Sequence, residues 1–94
     1  MENQMNQNVD NNPFPAQFST LILSLASSAF IAMGLEKNPQ TNQIEKDMEL
    51  ASFNIDMLEM LKKKTKNNLD ADEQQLLDTI LADLQIKFVN HTKS

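Results

Sequence analysis

An all-α domain of three helices, assembled as a homo-oligomeric bundle, is the fold class this sequence predicts. Apolar residues recur at steps of three and four, and no stretch alternates with period two between turn signals, so no strand is expected. Asp70 and Glu73 stand in capping-box spacing ahead of an apolar run. The stretch FSTLILSLASSAFIAMG, residues 18–34, carries no charge at all, and two amphipathic segments follow whose apolar surface something must cover.

Residues 1–12 hold five asparagines and little that is apolar, and Pro13 and Pro15 around Phe14 favour extended backbone. Residues 1–16 therefore read as a disordered tail. The start lacks the cationic opening of a secretory signal. The first helix is expected over about 17–33. From Asn11 to Leu35 there is no charged residue, so residues 18–35 are hydrophobic enough to suggest a membrane-inserted segment. Two observations favour a helix buried in protein. Eighteen residues reach about 27 Å, short of a typical hydrocarbon core, and removing this helix would leave the broad apolar face of the second without cover.

On a helical wheel Phe18, Leu21, Ile22, Leu25, Ala29 and Phe30 gather on one side. Thr20, Ser24, Ser28 and Ala32 form a ridge of small residues on the other, joined by Ser27 and with Ile31 in the same arc. Small residues at this spacing let helix backbones approach closely, which makes the ridge the expected helix-packing or oligomer interface. Gly34 is placed to end the helix, and Pro39 to Asn42 reads as a tight turn.

The second helix is expected over about 47–65. Its apolar set covers more than half the circumference and includes Met48, Met57 and Met60; only Glu49, Ser52, Asp56, Glu59 and Lys63 plainly face water. The methionines are expected first to fill core gaps, but three on one helix also suit an adaptable partner surface, so Met57 and Met60 join the candidate interface. Asn54 falls inside the apolar arc, where it would need hydrogen-bond partners and would fix pairing register as a lone polar core residue does in coiled coils. Lys64 to Asn68 closes the helix with cations and a left-handed asparagine. The third helix is expected over about 71–89, with Leu76, Leu77, Ile80, Leu81, Leu84 and Phe88 on one face, and residues 91–94 as a tail. Three helices bury about one face each. The surplus apolar surface predicts self-association, most simply a two-fold dimer with the first helix near the axis.

Composition narrows the chemistry. The chain has no cysteine and one histidine, so thiolate sites and imidazole-based metal or nucleophile pairs lack raw material. All eight cations are lysines against thirteen acids, giving a net charge of −5, a poor basis for nucleic-acid or phosphate recognition. The cluster Lys62, Lys63, Lys64 and Lys66 suits the negative end of a helix, and no aromatic interleaves it to stack a base. Asp70, Asp72 and Glu73 resemble the start of a calcium loop, yet Gln75 stands where its glycine belongs. His91 falls in a polar tail. No catalytic, cofactor-binding or metal residues are assigned, and the function expected is a non-enzymatic protein-interaction module with a protein partner that the sequence does not name.

The segments FSTLILSLASSA, then Ile55-Asp56-Met57-Leu58-Glu59-Met60-Leu61, KTKNNL at 64–69, Glu73, Leu76-Leu77-Asp78, Leu81 and Asp83-Leu84 resemble a family of small bacterial proteins known only as a domain of unknown function. The likeness covers most of the chain from Phe18 to Val89. It implies a bacterial, cytoplasmic, all-helical protein and brings no catalytic residue or cofactor with it. Asn42 and Asn67 replace the family's usual glycines at two turns, a mild change because asparagine tolerates positive φ better than most residues. Gln85, Lys87 and Phe88 stand where relatives favour arginine and an aromatic.

Overall fold

The computed structural model describes residues 16–92. The expected disordered tail lies outside the described residues except for Ala16, as do residues 93 and 94 of the expected C-terminal tail. Three helices follow in order: α1 (Phe18–Ala32), α2 (Met48–Lys64) and α3 (Ala71–Thr92), with no strand among the described residues. One isolated antiparallel bridge, Asn38 with Gln43, closes the turn between α1 and α2.

Each helix boundary has a local cause. Gln17 precedes α1 without capping it by its side chain, and the left-handed Gly34, with φ +82°, follows the C-cap Met33. Gly34 N–H donates to Ile31 O (3.0 Å) and Leu35 N–H to Phe30 O (3.0 Å), the paired bonds that satisfy carbonyls left over at a helix end. The following turn pivots on Asn38. Its Oδ1 accepts from Gln40 N–H at 2.9 Å, its carbonyl accepts from Asn42 N–H at 2.6 Å, and Asn42 takes the left-handed conformation at φ +59°. Asn67, at φ +69°, performs the same service after α2. Both asparagines thus hold a left-handed backbone conformation of the kind that glycine adopts most readily.

Asp47 caps α2 by accepting from Leu50 N–H at 3.1 Å, and Lys62, Lys63 and Lys64 occupy its last turn, facing the negative end of the helix dipole. At α3 the capping box is complete: Asp70 Oδ1 accepts from Glu73 N–H (2.8 Å) and Glu73 Oε1 accepts from Asp70 N–H (3.1 Å). The Asp70→Ala variant is expected to lose about 1 kcal/mol of stability, the usual value of such a cap, read as a lower midpoint in urea. An unchanged midpoint would show that the end of α3 contributes nothing to the cooperative unit.

Asp47 N–H also donates to Ala32 O at 2.7 Å, which pins the start of α2 to the end of α1 and makes the pair an antiparallel hairpin. The core is built from Ile22, Ala26, Ala29, Ala32 and Met33 at α1, Ala51, Ile55 and Leu58 on α2, and Leu77, Leu81 and Leu84 on α3. Alanine supplies four of these residues, all where α1 meets α2, and this is the most extensive helix contact in the molecule. Without bulk beyond Cβ, the two backbones settle close together.

That choice of contact alters two expectations from the wheel. Ala32, placed with the small ridge, is buried against the core, whereas Leu21, placed on the apolar side, is 44% exposed. The buried stripe centres on Ile22, Ala26, Ala29 and Met33, rotated from the leucine-rich side, because close approach favours the smaller residues. Segment 18–35 is also not one helix: α1 ends at Ala32 and Leu35 lies in the turn. Its fifteen residues reach about 22 Å at the α-helical rise. Among the described residues no helix is long and apolar enough to cross a membrane.

Candidate interaction surface

The outer surface of α1 is uncharged from end to end. Leu23 is 51% exposed, and Leu21, Ser24, Ser27 and Ser28 are exposed beside it, with Thr20 and Ile31 half-buried. Of the eight residues expected to form a packing or oligomer interface, only Ala32 is fully buried in the chain. The three serines touch solvent, so any close helix packing they serve lies outside this chain.

Helix α2 presents two stripes side by side. Ala51, Asn54, Ile55 and Leu58 turn inward, while Leu50, Phe53, Met57 and Met60, spaced three, four and three, turn outward. Phe53 is 56% exposed and Met60 is exposed, while Met57 is half-buried. The second stripe therefore has the periodicity of a helix seam without a helix against it. Leu50, Phe53 and Leu23 were not among the expected interface residues. Their signal in the sequence was the breadth of the α2 apolar arc, wider than one neighbouring helix can cover.

The polar contacts between α2 and α3 lie on another side of α2. Lys62 Nζ is 3.1 Å from Asp78 Oδ1 and Gln85 Nε2 donates to Glu59 Oε2, both across α2 and α3. With Lys63, Lys66, Gln74, Leu81 and Ala82 these residues line an open groove. Phe53 and Met57 point away from it, since they lie roughly a third of a turn or more from Glu59 and Lys62 on the α2 wheel. Lys62 of the lysine cluster thus pairs with an acid of α3 rather than with an external anion.

The hydrogen bond from Lys62 holds the Asp78 carboxyl below its ordinary value, with a second bond from Gln74 acting in the same direction and partial desolvation opposing both. A depressed carboxylate contributes stability above its unfolded value and loses it as pH falls through the folded one. Replacing Lys62 with Gln is expected to raise the Asp78 pKa, measured by carboxyl NMR titration. An unmoved titration would mean that the pair is not formed in solution.

Asn54 is the one buried polar residue of the core, 5% exposed, and its Nδ2 donor has no acceptor within the chain. On the α2 wheel it stands between the inward and outward stripes. His91 does not fall in a tail: α3 runs on to Thr92, and the half-buried ring has Nδ1 2.8 Å from Lys87 O, while Lys46 Nζ reaches His91 O at 3.5 Å. Asp70 and Glu73 are spent on the helix cap, and no group of three or more potential metal ligands occurs among the described residues.

The fold and this surface define a small all-α protein: three helices around one core, with an uncharged α1 and an exposed apolar stripe on α2. Residues 15–90 match the family model described as Domain of unknown function (DUF1844). The chain belongs to that family. No curated protein and no solved structure matches it.

Proposed function

We propose that the protein is a non-enzymatic, cytoplasmic interaction module that works by self-association, forming a homo-oligomer that presents helical surface to a further protein partner. One observation carries this reading: the exposed apolar residues that the uncharged α1 and the outward stripe of α2 present. Soluble monomers rarely expose a contiguous apolar patch beyond ~300–600 Å². Here Leu21, Leu23, Leu50, Phe53 and Met60 are all exposed large apolar side chains of α1 and α2. In a chain of net charge −5, an uncharged face is also where a second, like-charged copy meets least repulsion.

Light scattering at micromolar concentration tests the reading directly. The expected mass is at least twice the 10.7 kDa of one chain, and Ser24→Leu is expected to lower it or to weaken assembly on dilution. A single species of 10.7 kDa would overturn self-association.

A further inference from the structure

No further inference is drawn: the strongest candidate, the exposed apolar stripe of α2 formed by Leu50, Phe53 and Met60 beside the uncharged α1, carries nothing beyond the self-association already proposed, because nothing in the structure shows what covers it.

Discussion

Leu58→Ala is expected to lower the free energy of unfolding by about 2–5 kcal/mol, a large share of the ~5–15 kcal/mol available to a domain of this kind. Leu58 is fully buried on α2 and belongs to the same core as Ile55, the alanines of α1 and the leucines of α3. Truncation removes three side-chain carbons and leaves a cavity. Collapse is hindered, because the α1 side of the contact is already built from alanines that have no bulk to move into the gap. Urea denaturation followed by circular dichroism measures the loss, at a fixed protein concentration because assembly shifts apparent stability. A loss under about 1 kcal/mol would show that Leu58 is not in the common core.

The second large effect concerns Asn54. Asn54→Asp conserves shape but places a carboxylate where the amide already lacks a partner, and an unpaired buried charge costs far more than an unpaired dipole. The variant is expected to lose about 3 kcal/mol or more at neutral pH. Burial raises the carboxyl pKa in the folded state above its unfolded value, so stability is expected to return as pH falls below that raised value. Asn54→Leu is expected to move in the opposite direction, by about 1 kcal/mol, since removing an orphan donor removes its desolvation cost. If the aspartate variant is as stable as the parent at pH 7, Asn54 has access to water and is not part of the core.

Much of the fold is written in short-range signals. The cap pairs at Asp47 and at Asp70 with Glu73 mark where α2 and α3 begin, and Gly34, Asn42 and Asn67 mark the three left-handed positions in the turns. Each depends on one or two neighbouring residues, and so survives without knowledge of the tertiary structure. The facing of α1 does not. A helix with no charged residue offers no polar stripe from which to orient the wheel, and its leucines outweigh its alanines on any apolar scale. Packing reverses that order: Ala26, Ala29 and Ala32 go inward because α2 can come close over them, and Leu21 and Leu23 are left outside.

The interaction surface was legible in part for the same reason. The width of the α2 apolar arc signals that something besides α1 and α3 must cover it, and Asn54 stands out as a polar residue inside that arc. Which leucines and which phenylalanine remain uncovered depends on the direction from which α3 approaches. That direction depends on contacts between residues distant in the chain, such as Lys62 with Asp78, sixteen residues apart.

The neutrality of α1 also bears on how the protein is made. The helix precedes its packing partners along the chain, so a ribosome delivers about twenty-five residues without a single charge before the sequence that shelters them exists. Only when α2 has emerged can a hairpin close, over a connection of fifteen residues, and this contact is local enough to form early and quickly. Until then the nascent segment is the stretch that chaperones and aggregation compete for, which makes the speed of that first hairpin a condition for the yield of folded protein.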